Sequence, residues 1–208
     1  MSELSVHEAI YTLRAMRRLR PDPVPEEDLA YIVDAATQAS SATNAQGWAF
    51  VVVTGAAERR ALGDIYRDAG RTAVESALAS GTLPPATARV YRDAMVLVEH
   101  MGEAPALILV AMRGAHPPDG VRGASHYGSI YPAVQNLMLA ARARGLGTTL
   151  TTLHKLREAD VKAVVGMPAE YETVALIPVG YPRGRFRQPV RIPSAEVTHW
   201  NRWGNRRH

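Results

Sequence analysis

Ser40-Ser41-Ala42-Thr43-Asn44-Ala45-Gln46-Gly47-Trp48 and, one helix earlier, Arg14-Ala15-Met16-Arg17-Arg18-Leu19-Arg20 decide the reading of this chain. The first stretch supplies small hydroxyls and amides directly before an apolar run, Trp48 to Val53. Ser41, Asn44 and Gln46 could satisfy the polar edge of a flat heterocycle lying over the strand end. An ordinary polar loop between helix and strand has the same composition. The second stretch supplies guanidinium forks, which bind phosphate bidentately and stay charged at any working pH. Arg14 and Arg17 are three apart and Arg14 and Arg18 four apart, so a helix places them on one face. Such a face is either solvated or offset by a bound anion.

Around these stretches the order of elements is legible. Glu8 to Arg18 reads as a helix, with Ile10 and Leu13 inward, stopped by Pro21-Asp22-Pro23-Val24-Pro25. Pro25 starts a second helix, with Glu26, Glu27 and Asp28 at its positive end and an apolar face of Leu29, Ile32, Val33 and Ala36. Trp48 to Val53 reads as a strand buried on both faces. Residues 56–100 read as a helical insert broken at Gly81 to Pro85, and Leu107 to Met112 as a second buried strand. Gly114 to Gly123 reads as a loop. A long helix follows through Ile130, Val134, Leu137 and Ala141, with Pro132 in its first turn and Gly145 as its cap. Thr148 to Leu153 is β-rich, Val161 to Val165 a short helix capped by Gly166, and Thr173 to Val179 a last core strand. The expectation is an α+β fold over residues 1–208 as one domain: a mixed β-sheet covered by helices on both faces. A polar tail over about 183–208 carries Trp200 and Trp203, which need somewhere to be buried, and a partner subunit is a natural place.

Composition narrows the classes. With 208 residues, 47% of them hydrophobic and 21% charged, the chain can bury a sizeable core. No apolar run reaches the roughly 20 residues of a membrane helix, and no signal-peptide pattern precedes the first helix. With 0 cysteines there are no disulfides, thiolate metal sites or cysteine nucleophiles. A cytoplasmic location is the simplest reading. The net charge of +4 is almost all arginine, Lys155 and Lys162 being the lysines. Seven arginines fall in the tail: Arg183, Arg185, Arg187, Arg191, Arg202, Arg206 and Arg207. Nucleic-acid binding is the weaker explanation for them, since no RRM, zinc-finger or helix-turn-helix pattern stands beside them.

There is no Gly-x-Gly-x-x-Gly after a strand and no phosphate loop. The histidines, His7, His100, His116, His126, His154, His199 and His208, lack metal-ligand spacing, so no metal site is expected and each reads as a surface or packing residue. Gly123-Ala124-Ser125-His126-Tyr127-Gly128 has its glycines wrongly placed for a serine-hydrolase elbow. Tyr66 and Tyr91 in the insert either line a pocket or pack the insert's own core.

Ala39 to Phe50, read with the preceding arginines and Pro-Asp-Pro-Val-Pro, resembles the FMN-dependent nitroreductase family. Glu103-Ala104-Pro105-Ala106-Leu107-Ile108 is similar to the family's second strand entry. Pro132-Ala133-Val134-Gln135-Asn136-Leu137 with Gly145-Leu146-Gly147-Thr148 is similar to its central helix and turn, and Ile177-Pro178-Val179-Gly180-Tyr181-Pro182 to its final strand. The blocks occur in the family's order and leave out the insert. The resemblance implies a homodimer with FMN at each subunit interface. NADH or NADPH would be the electron donor and a small organic molecule, a nitroaromatic, quinone or similar compound, the acceptor. It implies cofactor contacts from Arg14, Ala15 and Arg17, from Ser41, Asn44 and Gln46, and from Thr151, Thr152 and Leu153 near the reactive flavin nitrogen. Ser129 and Pro132 fall where the partner subunit approaches the flavin, and Arg191 matches a C-terminal phosphate arginine. No side chain is assigned as catalytic, because the flavin carries the chemistry. Leu13, Ala15, Ser40 and Gly47 depart from the family pattern, and Ala15 counts against the flavin-fragmenting branch, which has an acidic residue there. A flavin-storing protein of the same fold is the alternative implied.

Overall fold

β2 (Ala106–Arg113) is the axis of the molecule, with every residue from Ala106 to Met112 buried. It pairs antiparallel with β1 (Trp48–Val53) on one side and β4 (Tyr171–Gly180) on the other. The two-residue β3 (Gly147–Thr148) completes the order β1-β2-β4-β3 against the far edge of β4. The structure is a computed structural model and describes residues 4–114 and 120–207. Its strand pairings are all antiparallel, so the sheet is not mixed as expected, while the α+β class and helices on both faces hold.

The strand period of two sorts the core into halves. Ala106, Ile108, Val110 and Met112 face α2 (Glu26–Thr37) and α5 (Val121–Ala143), where Leu29, Ile32, Ile130, Val134 and Leu137 meet them. Leu107 and Leu109 face the other way, onto α3 (Ala56–Ala79), α4 (Pro85–His100) and α6 (Glu158–Val165). α3 presents Leu62, Tyr66, Gly70 and Val74 at four-residue spacing to this second half. Each fully buried Leu, Ile or Val stabilises the fold by roughly 1.5–3 kcal/mol. α6 ends at Gly166 in the left-handed conformation, as its position after Val165 implies. No helix among the described residues is long and apolar enough to cross a membrane.

Several elements differ from the sequence reading. α1 (Val6–Thr12) stops before the arginines, and Ile10 is exposed rather than inward. From Leu13 the chain is extended, because it is drawn into the sheet's edge. Met16 N donates to the Thr148 carbonyl, Thr149 Oγ1 to the Met16 carbonyl, and Arg20 N to the Tyr181 carbonyl. Gly147 makes this possible, since a Cβ there would stand 2.8 Å from the Met16 Cβ. β1 is an edge strand and only partly buried, not covered on both faces. α5 begins at Val121, placing Pro132 in its interior and on its exposed side. Only part of the expected loop at 114–123 can be compared, since 115–119 lie outside the described residues, as do His116 and His208. The β-rich stretch after Thr148 reduces to one bridge, Thr151 with Leu176, and then a short 3-10 turn, Leu153–Arg157.

Candidate functional site

The sequence-derived residues fall into two clusters. The first is built on the extended segment after α1. Arg14 and Ala15 are exposed and Arg17 is half-buried, while the intervening Met16 anchors the segment in the core. The charge of Arg17 is felt by Tyr66, whose hydroxyl lies 2.5 Å from Thr151 Oγ1. Burial pushes the Tyr66 phenol up, and the Thr151 hydrogen bond and the Arg17 charge partly oppose that. Tyr66 is therefore a core residue of the insert that also reaches out to fix Thr151. Thr151 is buried, Thr152 exposed, and Leu153 packs on the same apolar cluster as Tyr66. Arg191 is exposed and shares a cavity with Ile10 and Tyr11, so the tail returns to the end of α1, close in sequence to Arg14. Among the described residues, no carboxylate comes within 4.0 Å of Arg14, Arg17 or Arg191.

The second cluster is the turn before β1. Thr43, Asn44 and Gln46 have φ of 53°, 55° and 48°. Three non-glycine residues in the left-handed region within four positions is costly backbone, most of all for β-branched Thr43. The turn is held by Ser41 Oγ accepting from Gln46 N at 3.1 Å and by Gln46 Nε2 donating to Asn44 Oδ1 at 3.0 Å. Ser129, from α5, is buried and accepts from Ala42 N at 3.0 Å while donating to the Ser125 carbonyl. Its hydroxyl is thus spent inside its own chain, clamping the turn. Pro132 lies one helical turn further along, exposed. No hydrogen bond or ion pair among the described residues joins this cluster to the first.

A third group went unread in the sequence. Glu172, nearly buried at the start of β4, accepts from Lys155 Nζ at 2.9 Å and from the Tyr127 hydroxyl at 3.1 Å. Its other oxygen lies 3.4 Å from His126 Nε2. Lys155 also donates to Glu158, which in turn accepts from the Thr173 backbone and hydroxyl. Burial works against the Lys155 charge, but the two carboxylates outweigh it and hold its pKa above the ordinary range. Burial likewise opposes ionisation of Glu158, and Lys155 with the Thr173 donors more than offsets it. The signal for this group was available: a glutamate inside an apolar strand, and one of two lysines in the chain. Among the described residues no three or more side chains group as a metal site.

The chain is 32% identical over 200 residues to an NADH dehydrogenase of Thermus thermophilus, covering 90% of this chain and 91% of that one. It is 32% identical over 192 residues to a 5,6-dimethylbenzimidazole synthase of Rhodospirillum rubrum, covering 90% and 84%. Among solved structures, an iodotyrosine deiodinase bound to FMN and 3-iodo-L-tyrosine superposes with a TM-score of 0.73 at 25% identity, over 91% of this chain and 96% of that one. The model of the nitroreductase family spans residues 10–181, from the end of α1 through β4 and so through every clustered residue but Arg191, and the chain belongs to that family.

Proposed function

We propose that the chain is a homodimeric FMN-dependent oxidoreductase that passes electrons from NADH or NADPH to a small organic acceptor such as a nitroaromatic or a quinone. The observation that carries this reading is that Arg14, Arg17 and Arg191 have no carboxylate partner within 4.0 Å among the described residues, with Arg17 acting on Tyr66, which bonds Thr151, and Arg191 beside the end of α1. An anionic group with a flat ring fits that donor set. Arg14 and Arg191 hold the phosphate by charge-assisted hydrogen bonds. Arg17 places positive charge at the ring edge where negative charge develops on reduction. The segment Thr151 to Leu153, whose Thr151 hydroxyl is held by Tyr66, would supply the backbone beside the reactive part of the ring. When bound, FMN supplies the two-electron chemistry between nicotinamide and acceptor.

The separation of the clusters supports the dimer. In this reading Arg14 and Arg17 hold the flavin with Ser41, Asn44 and Gln46, and Ser129 and Pro132 stand where the second copy approaches it. The surface is suited to one: Trp203 is 90% and Val190 96% exposed on the tail, and Tyr127 and Tyr131 are exposed on α5. β1 also leaves an open sheet edge, which chains rarely leave uncovered. Ala15 supports electron transfer to an external acceptor over flavin breakdown, since no carboxylate stands at that position. The test is to release the cofactor by heat and identify it by chromatography, then follow flavin bleaching by NADH and NADPH in stopped flow. FMN and bleaching within the turnover time are expected. Recovery of FAD or of no flavin overturns the cofactor, and FMN that neither nucleotide reduces leaves a flavin-storing protein.

A further inference from the structure

On the α4 side of the extended segment lies a cavity of about 320 Å3 that shares only Arg17 with the residues proposed to hold the flavin. Its interior is apolar, formed by Leu19, Val96, Leu97 and Ala104, of which Leu97 and Ala104 are buried. Its mouth is cationic. Arg183 N donates to the Arg18 carbonyl at 2.9 Å, and Leu19 bridges Pro182 beside it. This register sets Arg18 and Arg183 directly opposite each other across an antiparallel pair, where like charges repel. Arg17 adds a third guanidinium to the same wall.

Counter-charge at the mouth is short. Asp93 stands 3.6 Å from Arg18, both side chains about half-exposed, a weak pair. Glu103, also on the wall, is exposed and hydrogen-bonded to His100 at 2.9 Å, with neither Arg18 nor Arg183 within 4.0 Å of it. Among the described residues no carboxylate comes within 4.0 Å of Arg183 or Arg17. Arg183 Nε donates to the Leu19 carbonyl at 3.1 Å, which holds its guanidinium at the mouth instead of in open solvent.

We propose that this cavity binds a small organic carboxylate with an apolar body. The carboxylate sits between Arg18 and Arg183, which relieves their repulsion, and the body lies against Leu97 and Ala104. A planar guanidinium matches a carboxylate bidentately. The apolar interior selects against a bare inorganic anion, which would leave the half-buried Leu19 and Val96 uncovered. Arg18 and Arg183, which would hold the carboxylate, are not among the residues assigned to FMN, and Arg17 is the one residue the two sites share.

The test uses the full chain as purified, titrated calorimetrically with sodium benzoate at an ionic strength fixed by sodium chloride. One-to-one binding is expected, weakened about tenfold in Arg183→Ala and in Arg18→Ala, the loss of one charge-assisted contact. Val96→Trp, which fills the cavity, should abolish it. Flavin content and spectrum should be the same in all four proteins, with or without benzoate. Inorganic phosphate should bind at least about tenfold more weakly than benzoate, and equal affinity overturns the assigned ligand class. No heat beyond matched chloride overturns the site. So does wild-type benzoate affinity in both arginine variants, or a benzoate-induced flavin shift that survives Arg183→Ala.

Discussion

Acidification from pH 7 to pH 5 should destabilise this protein through His154, and His154→Leu should remove that sensitivity. The imidazole is fully buried in the 3-10 turn after Thr151, and neither ring nitrogen finds a partner with good hydrogen-bond geometry. Burial, and then the neighbouring Lys155 charge, depress its pKa from 6.5 to about 4, against weaker opposition from Glu158 and the Thr151 backbone. A depressed histidine stays neutral in the fold while the unfolded chain takes up a proton below 6.5. Stability is therefore unaffected above pH 7, falls as pH drops from 6.5 toward 4, and loses nothing further from this group below 4. The full gap corresponds to about 3 kcal/mol, and about 2 kcal/mol of it is spent by pH 5. Glu158, whose pKa is lowered, contributes stability that is lost only below the ordinary glutamate range, so the window from 6.5 to 5 separates the two. Urea midpoints at pH 7 and pH 5 measure the effect. The wild type should lose about 2 kcal/mol more than His154→Leu. At pH 7 the variant should be little changed, because leucine replaces a ring that makes no hydrogen bond. Equal losses in the two proteins would refute a neutral, buried His154.

Three further outcomes are expected. Arg14→Ala and Arg191→Ala should each weaken FMN about ten- to a hundredfold by fluorescence titration, since a charge-assisted contact to phosphate contributes roughly 1.5–3 kcal/mol; Arg206→Ala should not, and equal affinities across all three would remove these arginines from the phosphate site. Truncation after Pro193 should give a monomer or aggregate that loses flavin on gel filtration, and a yellow dimeric product would show that the tail tryptophans anchor nothing. Thr43→Gly should raise stability by about 0.5–1 kcal/mol, because it relieves a β-branched residue at φ 53° by more than it adds unfolded-state entropy; a lower urea midpoint would mean that the conformation carries no strain.

How far the sequence could be read depended on whether a signal was local. α2 was legible because its start residue, acidic first turn and apolar face lie within a dozen positions. β2 and β4 were legible because burial on both faces leaves continuous apolar runs. The same kind of run misled at β1, since Trp48 to Val53 reports what covers the faces and says nothing about which strand is missing alongside. Pro132 misled in the opposite sense. A proline is a good first-turn residue, and the interior of α5 tolerates it where Gly128, the residue whose carbonyl loses its donor, is exposed to water.

The arginine stretch shows the limit most clearly. Leu13 and Met16 are three apart and both buried, which is what a helix would give. What makes the segment extended is a set of partners far along the chain, including Thr149, which bonds Met16 across 133 residues. A helix would have put Arg14, Arg17 and Arg18 on one face, competing for one anion. The extended chain divides them instead: Arg17 lies within reach of Tyr66, while Arg18 is paired across the register with Arg183. In the proposals made above, that division lets the stretch contribute to two anion sites, with Arg17 standing between them. The residue types were legible at once, but which arginines face one another depends on a strand register that no spacing within the cluster encodes.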